Sequence, residues 1–568
     1  MMLLSFPRRC ANFFGATFLL FMVWKFILLL GTAQPIPAND AFVYDGAVVN
    51  YLLHGQYCNP SVVLAFPYAG YHTFCIYPPF YQAMLFLWMS VFGTGVLVPM
   101  WFHFVLFGVY GLTLLAILRR LQTPAWAANL ACLFLLGITF DDRPDGLAQL
   151  LGMLAVYGWV RWLAPVAQTS QSAVSQVSQP ANRPPTGGRS VFQQPADLET
   201  SVNGGSVELR RANSSPWIWF AALAVVLACC TNPELGGLYF GWIWLLVLGA
   251  VVLRQARFPW LPMACLCVAP VALVALVKYS RPDLWAGFLE HAGQTPSLTK
   301  WRLPSVGDLL KAARTLPAIL FIAGLTLCGW RRFTAPGWLD RLKGADARPV
   351  LLVATGFLVT VGLVAGGLCR FTANWILFLY YIQPLLVGLF LLSEARPAAA
   401  PRRWLAPLFA VLVLIVSVRA LGQSTWGVAC ALDRSQGEAQ QIVRSELDHT
   451  APDSTVVMST AYLYDAQRHP GLHYIHEDWT HRADAPTGKW SEDTAGLLKL
   501  KPAALILTQF DFYRRFQLPL AELGGMPSVV TLTTTNYARV RAPDSYPRLQ
   551  QVLQHVAWAP VVVEFSWK

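Results

Sequence analysis

The sequence predicts a polytopic α-helical membrane protein, with about eleven transmembrane helices followed by a C-terminal soluble α/β domain. Of its 568 residues, 55% are hydrophobic and only 13% are charged, a composition that argues against a soluble globular protein. Long apolar runs occupy residues 1–421, and the character of the chain changes completely from residue 422. We therefore expect a transmembrane domain over 1–421 and an outer-face α/β domain over 422–568.

Apolar runs of about twenty residues are long enough to cross a bilayer as helices. The first run follows Arg8-Arg9 and extends to Gly31. It is longer than the apolar core of a signal peptide and no cleavage motif closes it, so we interpret it as a retained signal anchor. The predicted spans cover 11–31, 97–118, 125–141, 146–163, 217–231, 235–253, 260–278, 316–330, 350–369, 375–393 and 404–421.

The connections between these spans carry charge unevenly. If the N-terminus is cytoplasmic, every inner connection is basic, beginning with Arg119-Arg120. The net charge of +12 therefore follows the positive-inside pattern, and no nucleic-acid partner is expected. This pattern predicts an integral membrane protein in contact with membrane lipids. Its functional site and C-terminal domain are expected on the outer (periplasmic) face.

Two segments outside the spans have distinct compositions. Residues 164–216 are rich in Gln, Ser, Pro and Gly, which predicts a disordered cytoplasmic linker. In the C-terminal part, Ser435 and Glu438 have capping-box spacing ahead of a helix that places Ala439, Ile442, Val443 and Leu447 on one face. Strands are predicted at 454–459, 503–508, 528–533 and 560–565, with a further helix near 546–556.

The first outer loop, residues 34–96, carries the polar residues of greatest interest. Its segment 41–53 is helix-like and ends at Gly55, which places Asp40 at a helix N-terminus, where a carboxylate is favoured. Helix capping alone would also explain Asp40. Asp45, one turn further on, is either a second functional acid or part of the polar face of the same helix.

Two further polar segments stand out. Tyr77-Pro78-Pro79-Phe80-Tyr81 opens an amphipathic helix over 81–92, and the two prolines are explained by that helix start alone. The turn Asp141-Asp142-Arg143-Pro144-Asp145 places three carboxylates and one guanidinium between two spans. Such a dense polar cluster is costly to insert and indicates a function, although an interfacial cap neutralised by Arg143 is the alternative.

Cysteine and histidine give weaker signals. Cys58 and Cys75 share the first outer loop and could form a disulfide or remain free thiols. No Cys/His metal motif is present in the sequence. The C-terminal histidines could cluster around a metal if 465–484 folds back on itself, but surface positions explain them as well: His449, His469, His473, His476 and His481.

The order of these motifs resembles the GT-C superfamily of integral membrane glycosyltransferases. The resemblance rests on Asp40, Gly55, YPPFY before a short helix, Arg119-Arg120, and Arg143-Pro144-Asp145-Gly146-Leu147. The chain is similar in particular to the bacterial family members related to protein O-mannosyltransferases and to the aminoarabinose transferase of lipid A. The similarity covers the chain best up to Arg257 and thinly includes Arg370-Phe371 and Gln383-Pro384.

The resemblance implies a protein of the bacterial cytoplasmic (inner) membrane with its site on the outer (periplasmic) face, and it implies a role for each residue. Asp40 matches the general base that deprotonates the acceptor, and Asp145 matches a second acid that orients the acceptor or a metal. The donor phosphate would be bound by cationic and hydroxyl side chains, namely Arg370, Arg143, His72 and Tyr77. Asp45, Asp141 and Asp142 are candidates for a metal or acceptor contact; a divalent ion is compatible with their oxygens, and its identity is open.

The sequence also departs from the family pattern. Ala41 follows Asp40 where relatives commonly have Glu, and Tyr77 precedes the prolines where some relatives have Lys or His. The implied function is transfer of a sugar from a polyprenyl-phosphate-linked donor to a glycan, lipid or protein acceptor, with inversion. The alternative is a transporter, flippase or non-catalytic binder of lipid-linked saccharides. The apparent lack of mid-span charges and of internal repeats favours the enzyme.

Overall fold

The structure is a computed structural model. It describes residues 8–31, 41–60, 79–163 except 96 and 138–143, 215–280, 347–356, 385–389, 436–476 except 470, 492–508, 516–523, 527–534 and 560–567, with single residues or pairs elsewhere between 282 and 512. The predicted linker 164–216, the outer segment 279–315, the spans at 316–330 and 404–421, and the helix near 546–556 lie wholly or mostly outside the described residues.

Four helices form the first described part of the chain. They are α1 (Arg8–Gly31), α2 (Ala41–His54), α3 (Phe80–Phe92) and α4 (Val98–Arg120). The helices expected at 41–53 and 81–92 are present as α2 and α3. Gly55 follows α2 with φ of +71°, a left-handed conformation that glycine adopts without a steric penalty.

The next helices are α5 (Ala125–Leu133), α6 (Pro144–Trp162), α7 (Pro216–Cys229), α8 (Pro233–Val252) and α9 (Trp260–Ser280). Among the described residues, α4, α8 and α9 are long and apolar enough to cross a membrane. The run predicted as a span at 125–141 is different. Helix α5 ends at Leu133 and gives way to a 3-10 turn, Phe134–Gly137, a common ending for an α-helix ahead of a residue of low helix propensity.

Small residues let α6 approach its neighbours closely. A Cβ on Gly152 would lie 2.2 Å from the Tyr239 ring of α8, and one on Gly158 would lie 2.9 Å from the Trp217 carbonyl oxygen of α7. Gly158 belongs to the last turns of α6, whereas Trp217 belongs to the first turn of α7. Helices α6 and α7 are therefore antiparallel neighbours, and the start of α6 lies at the same end as the end of α7.

Residues 436–567 contain a five-stranded sheet with helices. The elements are α10 (Gln436–His449), β1 (Thr455–Met458), α11 (Leu463–Ala466), β2 (His473–His476), α12 (Glu492–Leu500), β3 (Ala504–Thr508), α13 (Gln517–Leu523), β4 (Pro527–Thr534) and β5 (Pro560–Trp567). The strand order is β2-β1-β3-β5-β4. β1 pairs in parallel with β2 and β3, and β5 pairs antiparallel with β3 and β4. All four predicted strands are present, and β2 is an additional strand that was expected to be irregular.

Candidate functional site

Asp145 lies in the first turn of α6, directly after Pro144. The side chain is 5% exposed, and a carboxylate in a first helical turn is favoured by the helix dipole. Proline is well suited to this first position because its missing N–H would have no partner within the helix. The local sequence therefore both starts the helix and buries an acidic side chain at its beginning.

Asn232 holds Asp145 in place. Its Nδ2 donates a hydrogen bond to Asp145 Oδ1 at 2.6 Å. Its Oδ1 accepts from the backbone N–H groups of Glu234 and Leu235 at 3.0 and 3.2 Å, which caps the N-terminus of α8. Because the amide oxygen of Asn232 accepts from the first N–H groups of α8, its amide nitrogen points to the Asp145 carboxylate. One fully buried side chain thus joins the starts of α6 and α8.

Asp45 belongs to a second buried polar group. The Tyr81 hydroxyl donates to Asp45 Oδ1 at 2.8 Å and lies 2.8 Å from His103 Nε2. Since the single hydroxyl proton points to Asp45, the Tyr81 oxygen accepts from His103, and Nε2 is the protonated nitrogen. His103 Nδ1 is buried and has no partner among the described residues. The group joins α2, α3 and α4 at one point.

Backbone contacts place these two polar groups at the same end of the helices. Phe80 N donates to Cys230 O at 3.3 Å. Phe80 is adjacent to Tyr81, and Cys230 lies two residues before Asn232. The start of α3 therefore contacts the turn between α7 and α8. Arg119 is sixteen residues after His103 in α4, so it lies about 24 Å away along the helix.

Most of the predicted site residues lie outside the described residues. They are Asp40, His72, Tyr77, Asp141, Asp142, Arg143 and Arg370. Helix α2 begins at Ala41, immediately after Asp40. Asp45 and Asp145 are described, and both are buried. Their positions are therefore known, whereas the predicted roles of all nine residues stay predictions.

Metal binding was an open possibility for these acids. Among the described residues, no group of three His, Cys, Asp or Glu side chains is placed to hold a metal ion. The partner of Asp45 named above is the Tyr81 hydroxyl, and His103 joins the group through that same hydroxyl. In the C-terminal part, His469 faces Asp448 at 3.6 Å and His449 Nδ1 lies 2.5 Å from the Ser445 carbonyl oxygen.

Cys58 follows α2 and is a free thiol. Asn50 Nδ2 donates hydrogen bonds to the Gln56 carbonyl oxygen at 2.8 Å and to Cys58 Sγ at 3.2 Å. Burial raises the pKa of the Cys58 thiol above its ordinary value. Of the two alternatives for this cysteine, the structure has the reduced one.

Sequence reasoning missed Asn232, Tyr81 and His103 as members of the site. The Asn232-Pro233 pair was a usable signal, because asparagine followed by proline is typical of a helix start. His103 was also visible, since an ionisable residue within a span is a candidate functional residue. No signal in the sequence connects Tyr81 to Asp45.

No protein-family model and no curated protein matches this chain. Solved structures do. ArnT from Cupriavidus metallidurans bound to undecaprenyl phosphate matches with a TM-score of 0.50 at 15% identity, over 97% of each chain. An archaeal oligosaccharyltransferase from Archaeoglobus fulgidus, tethered to an acceptor peptide, matches with a TM-score of 0.42 at 11% identity, over 86% of this chain and 69% of that one. On the ArnT match, the chain has the GT-C-like fold that the sequence resemblance implied.

Proposed function

We propose that the protein is a membrane glycosyltransferase that uses a sugar linked to a polyprenyl phosphate. One observation carries the proposal: buried Asp145, held by Asn232, lies at the polar end of a fold shared over its whole length with ArnT. The structure of that protein contains undecaprenyl phosphate. The acceptor is a glycan, lipid or protein on the outer face.

The orientation follows from charge. Arg119 and Arg120 end α4, and the polar groups of Asp45 and Asp145 lie at the opposite end of the helices. Basic residues favour the cytoplasmic side of a membrane. This supports a site on the outer face of the bacterial inner membrane, next to a C-terminal α/β domain over 422–568.

The chemistry requires one base and one leaving group. Asp40 takes the proton of the acceptor hydroxyl while the acceptor oxygen bonds to the anomeric carbon. The bond from that carbon to the donor phosphate oxygen breaks, and the phosphate leaves with the electron pair. Arg370 and Arg143, with His72 and Tyr77, stabilise its charge. A single displacement of this kind inverts the anomeric centre, and Asp145 orients the acceptor.

The test is transfer by purified protein from a panel of radiolabelled polyprenyl-phosphate sugars. Asp40→Asn removes the base without changing side-chain size, and we expect transfer to fall by roughly a hundredfold to ten-thousandfold. Asp145→Asn is expected to lower transfer as well. Asp453→Asn, at an exposed turn before β1, is the matched control and should leave transfer unchanged.

Three outcomes would contradict the proposal. Full activity of Asp40→Asn would remove the assignment of the base. Binding of the labelled donor by the wild-type protein without transfer would indicate a non-catalytic binder. Movement of the donor between leaflets without a new glycosidic bond would indicate a flippase.

A further inference from the structure

The C-terminal α/β part contacts α2 through a short segment that follows β1. Gln467 Nε2 donates to the Gly46 carbonyl oxygen at 2.8 Å, and the Gln467 carbonyl oxygen lies 2.6 Å from His54 Nε2. Since a carbonyl only accepts, His54 is the donor of the second bond. The side chain of Gln467 is 2% exposed. One buried residue therefore contacts α2 at two places eight residues apart.

Tyr464 adds a third contact to the same helix. Its hydroxyl lies 3.5 Å from Asp45 Oδ2, on the carboxylate that also accepts from Tyr81. The contacts at Asp45, Gly46 and His54 cover more than two turns of a helix of 14 residues. Contacts over this length constrain both the position of α2 along its axis and its rotation.

The segment that follows α2 also contacts this helix. A Cβ on Gly46 would lie 2.7 Å from the side-chain amide of Asn59, which is buried. The chain after α2 therefore folds back against Gly46 at a distance that only glycine permits. Helix α2 is therefore contacted at Gly46 both by this returning segment and by Gln467.

The contacting segment is itself anchored in the C-terminal part. Asp465 is 2% exposed and forms an ion pair with Arg444 of α10, with Nε 2.9 Å from Oδ1. Burial raises the pKa of Asp465, and the Arg444 guanidinium opposes that shift. Upstream, Ser459 N donates to the Ile506 carbonyl oxygen of β3. The segment is thus bonded to α10 and to the sheet on one side of the contact and to α2 on the other.

We propose that Gln467 and Tyr464 are positioning residues, through which the C-terminal α/β part fixes α2, the helix that begins immediately after Asp40. The inference deepens the proposed function and rests on it for the role of Asp40. It gives the C-terminal part a task in the chemical step, because a displacement of about 1 Å of a reacting group lowers the rate strongly.

The experiment compares Gln467→Leu with Gln441→Leu in the full-length protein. Gln441 is an exposed residue of α10, so this control makes the same chemical change away from α2. Hydrogen–deuterium exchange of the α2 amides is measured together with kcat and KM for the donor. In Gln467→Leu we expect α2 exchange to rise about tenfold and kcat to fall between about tenfold and a hundredfold, with KM nearly unchanged.

Tyr464→Phe is a milder second variant in case Gln467→Leu does not fold. It removes one hydroxyl, and we expect smaller changes in the same direction. Unchanged α2 exchange in a folded Gln467→Leu or Tyr464→Phe protein would overturn the docking. Faster α2 exchange with wild-type kcat would overturn the positioning role. If the wild-type protein transfers no sugar, the proposed function fails, and the exchange measurement still decides the docking.

Discussion

The side-chain amide of Asn232 lies 2.6 Å from Asp145 Oδ1 while its oxygen caps α8. A single side chain therefore determines both where a membrane helix begins and how a buried acid is oriented. The two tasks use different atoms of the same amide, which makes them separable by substitution.

Replacement of Asn232 tests this separation. Asn232→Ser retains an oxygen for the cap but has no amide that reaches Asp145, so we expect sugar transfer to fall strongly with a smaller loss of stability than in Asn232→Ala. Asn232→Ala removes both functions and should also lower stability by roughly 2 kcal/mol. Thermal unfolding in detergent and the transfer assay measure the two effects.

Ser215→Ala is the matched control for the cap. Ser215 Oγ accepts from Trp217 N at 3.4 Å and caps α7 at the end away from Asp145. We expect this variant to lose about 1 kcal/mol of stability and to keep full transfer. Wild-type transfer by Asn232→Ser would contradict the role given to the amide donor.

Tyr81→Phe tests the second polar group. The substitution removes the hydroxyl shared by Asp45 and His103 and leaves both buried groups without that partner, at a cost of about 1–3 kcal/mol in stability. Tyr157→Phe is the control, because Tyr157 packs its ring edge-on against Trp217 at 5.8 Å and the ring is retained. Equal unfolding temperatures for the two variants would contradict a stabilising role of the Asp45–Tyr81–His103 group.

A double substitution sharpens that result. In Tyr81→Phe/His103→Leu both partners of the lost bond are absent, and an apolar side chain replaces the buried imidazole. We expect the double variant to be more stable than the sum of the two single effects. An additive result would mean that the Tyr81–His103 contact contributes no coupling energy.

Gly152→Ala tests the contact between α6 and α8. The added Cβ would lie 2.2 Å from the Tyr239 ring, so the ring must move and its 2.7 Å hydrogen bond to Gln149 Oε1 is strained. We expect a loss of about 1–3 kcal/mol. Gly108→Ala in α4 is the control, since a Cβ there meets no atom within 4 Å. Its stability should be unchanged or higher, and a similar loss in both variants would contradict the close approach.

Glu446 of α10 predicts a pH dependence. Burial, with the Glu564 carboxyl of β5 beside it, raises the pKa of Glu446 above its ordinary value of 4.5. The folded protein therefore binds this proton more tightly than the unfolded chain does. The resulting stabilisation is complete below the ordinary pKa and is lost as the pH rises through the raised pKa.

Glu446→Gln should flatten this dependence. The amide keeps the shape of the side chain and carries no charge, so we expect the unfolding temperature to fall less than in the wild-type protein as the pH rises above the ordinary pKa of 4.5. Asp453→Asn removes an exposed carboxylate instead and should leave the slope unchanged. Parallel curves for Glu446→Gln and the wild-type protein would rule out the carboxyl pair.

Local elements were predictable because their signals are local. Gly55 after an apolar helical run gave the end of α2, and β-type runs gave β1, β3, β4 and β5. Residues 125–141 were predicted as one continuous span because hydropathy reports burial and membrane preference. Hydropathy does not report where an α-helix changes to a 3-10 turn. Strand β2 was missed because His473–His476 is only four residues long and shows no alternation of polar and apolar residues.

The candidate site was harder to predict because its contacts join distant residues. Asp45 and Asp145 were recognisable as unusual acids, but Asn232 follows Asp145 by 87 positions and Tyr464 follows Asp45 by 419. No periodicity in the sequence encodes such pairings. The resemblance supplied roles for single residues, whereas the hydrogen-bonding partners depend on how the helices pack.

Strand β5 lies between β3 and β4, and those two strands have no pairing with each other. Residues 560–567 are synthesised after every other strand of the sheet. Until they emerge, β4 has no partner in the sheet, and one side of β3 is unpaired. The α/β part can close only after the transmembrane segments and Gly46 have been made, so assembly of the contact with α2 is a late event in the biosynthesis of the protein.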